Sequence, residues 1–267
     1  MARRIDIGDR WALITGGSSG IGLAIAKELA HSGLRLIIVG RNEQRLAQAE
    51  EVLRGEGAAE IVTISADLAT AEGPCDLYNE CHRRGLEVGL LVNNAGTFIY
   101  KDLVGLEAER VEQILALHVG ATTTLCRLFV ADMVAYGGGW VLNMSSLAEA
   151  MPLPGLGMYS ATKAYIHNFS LALAAEVGDK GVVVCSARPG GVATNLYGLP
   201  LRWQQRGVRW GVIMTPERVA RICIGALARG RRSVTPGVGN RIGLVVIRRL
   251  PRRVVDFLRR RTFGFQK

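Results

Sequence analysis

The sequence predicts a single α/β domain, a doubly wound and mostly parallel sheet with helices on both faces. Three observations point there. Short apolar runs alternate with helical segments from about residue 10 to 235, the order that produces parallel strands covered on both sides. LRLIIV at 34–39 is an almost unbroken apolar run bounded by Gly33 and Gly40, as suits a strand buried on both faces. The first strand, in RWALIT, ends in a glycine-rich turn that opens directly into a helix.

The elements follow in order. IGLAIAKELA carries apolar residues at 21, 24, 25 and 29, which is helical spacing. After the strand at 34–39 come a polar helix at 43–54, the strand EIVTI at 60–64 and a helix near 74–84. The strand VGLLV at 88–92 is followed by one long helix near 107–134. WVLNM (140–144) is a strand, 158–177 a helix and VVVCSA (182–187) a strand. The last helix opens at Thr215-Pro216-Glu217, an N-cap followed by proline at the first helical position. No repeat, low-complexity tract or linker precedes residue 235. The chain therefore divides into one domain, 1–239, and a C-terminal extension, 240–267.

Composition narrows the class. The 267 residues are 49% hydrophobic and 21% charged, which excludes a disordered chain. No run of about 18 uncharged apolar residues is present, and the opening MARRIDIGDR lacks the apolar stretch of a secretory signal. Five cysteines form no C-x-x-C pair, so reduced thiols in a cytoplasmic protein are expected. The four histidines show no zinc-like spacing, and no metal is expected. The net charge of +10 is concentrated: Arg229–Lys267 holds 12 basic residues and one acid, Asp256, while the rest sums to −1. A near-neutral body does not carry a nucleic-acid footprint. A basic tail suits an anionic lipid surface, an acidic partner or nucleic acid.

The turn Thr15-Gly16-Gly17-Ser18-Ser19-Gly20-Ile21-Gly22 has the spacing G-x-x-x-G-x-G. Glycines let a backbone approach a pyrophosphate closely, and the helix N-terminus behind them offers unpaired N–H groups and a positive dipole end. Three further motifs follow: Asn93-Asn94-Ala95-Gly96, Tyr159-Ser160-Ala161-Thr162-Lys163, and Pro189-Gly190-Gly191-Val192-Ala193-Thr194. With the glycine turn, in this order and at these intervals, they resemble the short-chain dehydrogenase/reductase family over about residues 8–235.

That resemblance implies a seven-stranded Rossmann-type sheet with a dinucleotide across the carboxyl ends of its strands. It implies that Gly16, Gly20 and Gly22 form the phosphate turn, with contacts from Ser18, Ser19 and Ile21. Asp67-Leu68 match the pair that meets adenine. Asn93, Ala95 and Gly96 line the ribose and stabilise the sheet. The Val192 backbone and Thr194 hold the nicotinamide carboxamide, in a cofactor-binding turn that also contains Pro189 and Gly190. An acid at the end of the second strand would hold both ribose hydroxyls and repel a 2′-phosphate. Here that position is Gly40, followed by Arg41 and Asn42. A guanidinium grips phosphate bidentately, so NADP(H) is expected rather than NAD(H).

Tyr159 and Lys163 stand four apart on one helix and so share a face. A phenol has a pKa of about 10, so ionising it at pH 7 costs about 4 kcal/mol unless a neighbouring cation helps. The resemblance makes Tyr159 the general acid or base, Lys163 its electrostatic partner, and Ser146, 13 residues upstream, the group that holds the substrate oxygen. Ser145 is adjacent but off that spacing. One departure stands out. His118 occupies the place of an asparagine that seats a water on the family's proton path. Either the imidazole takes over that role, or it is a core histidine satisfied by backbone.

The segment 195–214 is the expected substrate loop. It is rich in Leu196, Tyr197, Trp203, Trp210 and Ile213, suiting a lipophilic substrate of fatty acyl, steroid or terpenoid type, or ordinary lid packing. The extension 240–267 interleaves arginines with apolar residues and is divided by Pro251. It fits peripheral contact with the inner face of a membrane, or docking on a partner subunit. The resemblance implies a homodimer or homotetramer. It also implies an NADP(H)-dependent oxidoreductase interconverting a carbonyl and a secondary alcohol. The competing reading is a catalytically idle dinucleotide-binding regulator on the same fold.

Overall fold

A computed structural model of the chain describes residues 5–151, 153–197 and 200–241. Most of the basic extension, from residue 242 onward, lies outside the described residues, as do Gly198 and Leu199 of the substrate loop.

The strands are β1 (Trp11–Thr15), β2 (Arg35–Gly40), β3 (Glu60–Ser65), β4 (Val88–Asn93), β5 (Gly139–Met144), β6 (Val182–Ala187) and β7 (Ser233–Val234). They form one seven-stranded sheet in the order β3-β2-β1-β4-β5-β6-β7. Every neighbouring pair is parallel. The order reverses between β1 and β4, and such a switch point opens a crevice at the carboxyl ends of the strands.

Side chains alternate across this sheet, as the two-residue period of a strand requires. Ala12, Ile14, Leu36 and Ile38 enter one layer with α1 (Gly20–Ala30), α2 (Glu43–Gly55) and α8 (Pro216–Ala228). Trp11, Leu13, Ile37 and Val39 enter the other with α3 (Gly73–Arg83), α5 (Ala121–Ala135) and α6 (Gly157–Val177). Two helix starts follow sequence logic directly. Asn42 Oδ1 caps α2 by accepting from the Arg45 N–H, and Thr215 Oγ1 caps α8 by accepting from the Arg218 N–H.

The long helix expected near 107–134 is not continuous. It comprises α4 (Ala108–Leu115), a π turn at Ala116–Gly120, and α5. The wider turn carries His118 into the interior, and such π turns gather at functional sites. By length and composition the run Ala108–Ala135 is apolar enough to cross a membrane. Here Leu125, Cys126, Phe129 and Met133 pack it against the sheet.

Candidate active site

The glycine turn sits at the carboxyl end of β1. Gly16 and Gly20 have φ of +64° and +55°, a region where a side chain is strained. At Gly22 the constraint is space: a Cβ there would stand 2.2 Å from the Gly16 carbonyl oxygen. Two residues to which the sequence assigned no role brace this turn. Thr15 Oγ1 donates to the Val92 carbonyl and accepts the Asn94 and Ala95 N–H groups. Asn94 Nδ2 donates to the Thr15 and Gly16 carbonyls at 3.0 and 3.3 Å. The helix behind the turn has no side-chain cap and no acid in its first turn, so its positive end faces the crevice uncompensated.

Ser18 Oγ stands beside Gly40, 3.2 Å from where a Cβ would lie. Arg41, 70% exposed, reaches across to Asp67 at 3.8 Å. Asn42 commits its oxygen to capping α2. Asp67 Oδ1 accepts from the Ala69 N–H, whereas the Leu68 side chain is core. Asn93 turns inward: its amide donates to Asn143 Oδ1 and Cys126 Sγ at 2.9 and 3.3 Å. Asn143 in turn donates to Ser170 Oγ. The Asn93 amide nitrogen therefore ties β4 to β5.

Ser146 follows β5, Tyr159 and Lys163 lie on α6, and all three are buried. Ser146 Oγ accepts the Ala148 N–H at 3.1 Å. Ser145 Oγ donates to the Lys163 carbonyl at 2.7 Å and so fastens α6 to the strand. Lys163 Nζ donates to the Met144 carbonyl at 2.9 Å and lies 5.7 Å from the centre of the Tyr159 ring. Burial pulls the Lys163 pKa down to about 8. Phe98 and His118 meet the Tyr159 ring edge-on, at 5.1 and 5.9 Å between centres.

His118 is fully buried. Its Nε2 accepts the Thr97 N–H at 3.0 Å, so Nδ1 carries the proton and faces Thr162 Oγ1 at 2.9 Å. The Thr162 hydroxyl donates to the Tyr159 carbonyl. Burial, aided by the Lys163 charge, lowers the His118 pKa to about 2. Both ring nitrogens are thus engaged by protein groups, Nε2 by backbone and Nδ1 by the Thr162 side chain. Gly96 makes room for it, since a Cβ there would lie 3.1 Å from Nε2.

The turn after β6 faces the glycine turn. Thr194 Cγ2 would meet a Cβ at Gly20 at 3.3 Å. Val192 pairs with Met214 in a parallel bridge, and the Leu147 N–H donates to the Pro189 carbonyl. A Cβ on Gly190 would collide with Asn240. The first residues of the extension thus pack on the body, which reaches at least Arg241. Behind this turn lies a buried cluster that sequence reasoning missed. Glu149 Oε1 accepts from Arg188 at 2.9 Å, and His167 Nδ1 lies 3.7 Å from Oε2. The signal was present: Glu149 is a lone acid in an apolar loop, and Arg188 immediately precedes Pro189. Among the described residues, no three His, Cys, Asp or Glu side chains gather to hold a metal.

The model of the short chain dehydrogenase family matches residues 10–203, a span that contains the glycine turn, Ser146, the Tyr159–Lys163 pair and the turn after β6. The chain belongs to the short-chain dehydrogenase family. This short-chain dehydrogenase is 32% identical over 234 residues to a very-long-chain 3-oxoacyl-CoA reductase of Anas platyrhynchos, covering 85% of this chain and 71% of that one. It is 33% identical over 197 residues to 17-beta-hydroxysteroid dehydrogenase type 3 of Danio rerio, covering 71% of this chain and 62% of that one. A solved short-chain dehydrogenase from Sphingobium yanoikuyae in complex with NADPH superposes with a TM-score of 0.77 at 25% identity, over 91% of this chain and 97% of that one. The chain spans 60% to 71% of the length of such curated relatives.

Proposed function

We propose that this short-chain dehydrogenase is an NADPH-dependent reductase of a carbonyl on a lipophilic substrate, with Tyr159 as general acid. The observation that carries this reading is the buried Lys163 ammonium held at the end of β5, two residues before Ser146, and 5.7 Å from the Tyr159 ring centre. The crevice fits a dinucleotide phosphate. Gly16, Gly20 and Gly22 leave no side chain in the way, and the first turn of α1 offers its N–H groups. Gly40 leaves space beside Ser18, and Arg41 supplies a positive charge there with no carboxylate on the strand end itself. That donor set favours a 2′-phosphate. The Asp67 carboxylate lies 3.8 Å from that guanidinium. The NADPH complex of the Sphingobium neighbour supports the same cofactor.

When bound, the cofactor supplies hydride to the carbonyl carbon. The chain's own residues handle the oxygen. Ser146 Oγ accepts the Ala148 N–H, which leaves its hydroxyl proton to be donated to the carbonyl oxygen. Tyr159 gives its phenolic proton to the same oxygen, completing the alcohol. The Lys163 ammonium, buried and anchored on the Met144 carbonyl, stabilises the phenolate left behind. Ionising the phenol at pH 7 costs about 4 kcal/mol without such a cation. Phe98 and His118 fix the ring's orientation, and His118, lacking a free nitrogen, acts as a positioning residue.

The printed names of the relatives, a 3-oxoacyl-CoA reductase and a hydroxysteroid dehydrogenase, support a fatty acyl or steroid ketone. Apolar Leu147, Met151, Leu153 and Ile213 near the site agree. The sequence charge of the extension supports a peripheral position at an anionic membrane face, and the family supports a homo-oligomer. The test is a substrate panel with NADPH: a long-chain 3-oxoacyl thioester, a steroid ketone and a ketose sugar. Turnover of either of the first two at a kcat/KM at least about 100-fold above the sugar is expected, since discrimination by apolar burial reaches that range. Preference for the sugar overturns the lipophilic assignment.

A further inference from the structure

We propose that the outer face of α7 (Leu201–Arg209) and the turn after it form a docking surface for an anionic lipid bilayer. Five of the twelve exposed large apolar side chains among the described residues lie within residues 195–214: Leu196, Leu201, Trp203, Trp210 and Val212. They are not marginal. Trp210, Leu201 and Val212 are each about two-thirds exposed or more, at 70%, 68% and 68%. Scattered single apolar residues are ordinary on a protein surface, whereas this many in one short segment point to an interaction site.

The helix is anchored from its other side. Gln204 and Gly207 are buried, and Ile213 packs so closely that a Cβ on Gly207 would lie 2.5 Å from it. Trp203 and Trp210, seven apart, fall on one stripe of the outer surface. Arg202, Arg206 and Arg209, spaced by four and three, fall on the next, and all three are exposed. The Arg206 guanidinium lies 5.2 Å from the Trp203 ring centre. No acid occurs between Asp179 and Glu217, so nothing in this segment neutralises the arginines.

Basic and aromatic side chains on one short helix match the lipid interface, where indole rings sit at headgroup level and arginines meet anionic headgroups. An acidic protein surface would satisfy the arginines and leave the tryptophan stripe wet. The segment adjoins the site, because Met214 pairs with Val192 in the turn that faces the glycine turn. The surface itself stands apart from the catalytic reading, so loss of either leaves the other measurable.

The experiment uses full-length protein and vesicles of phosphatidylcholine with phosphatidylglycerol carrying brominated acyl chains. The chain has four tryptophans. Trp11 and Trp140 lie at the amino ends of β1 and β5, away from the carboxyl ends that carry the site, and residues 242–267 contain none. Quenching by bromine therefore reports on α7, and binding through the basic extension alone would sediment protein without quenching. The expected results are quenching on anionic vesicles, its loss in Trp203→Ser/Trp210→Ser, and partitioning weakened about 10- to 100-fold in Arg202→Gln/Arg206→Gln/Arg209→Gln. Unchanged thermal unfolding in each variant confirms folding. Vesicle association without quenching overturns the proposal. So does protection of Trp203 and Trp210 from aqueous iodide before any vesicle is added, which would mean that the extension or a second copy already covers them. An emission shift produced by polyglutamate and not by vesicles assigns the surface to an acidic protein and overturns it as well.

Discussion

At Lys163, burial and catalysis pull in opposite directions. The side chain is buried and its pKa falls to about 8, yet its charge is what stabilises a Tyr159 phenolate. In the free protein, kcat/KM for reduction should therefore hold below about pH 8 and fall as Lys163 loses its proton above it. A profile flat to pH 10 would remove the charge from the mechanism. Stability follows the same group with the sign reversed from activity. The folded pKa is depressed below an unfolded value of about 10.4, so the unfolded chain binds more protons between the two. The Lys163 contribution to stability rises with pH through that window and is lost as pH falls through about 8. At Arg41 the expectation concerns selectivity. A charge-assisted hydrogen bond is worth roughly 1.5–3 kcal/mol, so Arg41→Ala should weaken NADPH binding by about 10- to 100-fold and leave NADH nearly unchanged. Equal losses in a fluorescence titration of the two cofactors would refute the assignment.

Among the elements, the glycine turn is the most constrained. Gly22 faces the Gly16 carbonyl and the Asn94 amide, which is itself pinned to two backbone carbonyls. Neither neighbour can yield cheaply. Gly22→Ala should cost at least about 1–3 kcal/mol of stability, as overpacking does, and should weaken NADPH binding. A variant with wild-type melting temperature and affinity would show that the turn is looser than this. The turn's spacing was legible because strained φ and close approach leave few residue choices. Its bracing was not: Thr15 and Asn94 act through long-range backbone contacts that no local pattern encodes. The break of the long helix was hidden too. ALHVG continues an apolar helical pattern, and only the tertiary partners of His118, Thr97 on one side and Thr162 on the other, show why the turn widens there. Likewise no local pattern around Asn93 shows that Asn143 and Cys126 hold its amide nitrogen.

Over the whole molecule, the alternation of apolar runs and helices was enough to specify the layers and the parallel direction, because buried parallel strands need both. The seventh strand was not visible from pattern, since Ser233–Val234 is too short to show a period. The sheet order then places four motifs at the carboxyl ends of the strands: the glycine turn after β1, Gly96 after β4, Ser146 after β5 and Pro189 after β6. Four separate crossovers converge on one crevice, and the reading that this crevice performs proton-coupled reduction rests on a single hydroxyl group. The direct test is the loss of NADPH absorbance in a single turnover with a long-chain 3-oxoacyl thioester, comparing wild type with Tyr159→Phe. The ring and its contacts with Phe98 and His118 survive the substitution, so cofactor binding should be retained. Turnover should fall by at least about 10²–10⁴-fold, the contribution of general acid–base catalysis. Wild-type turnover in Tyr159→Phe would contradict the account.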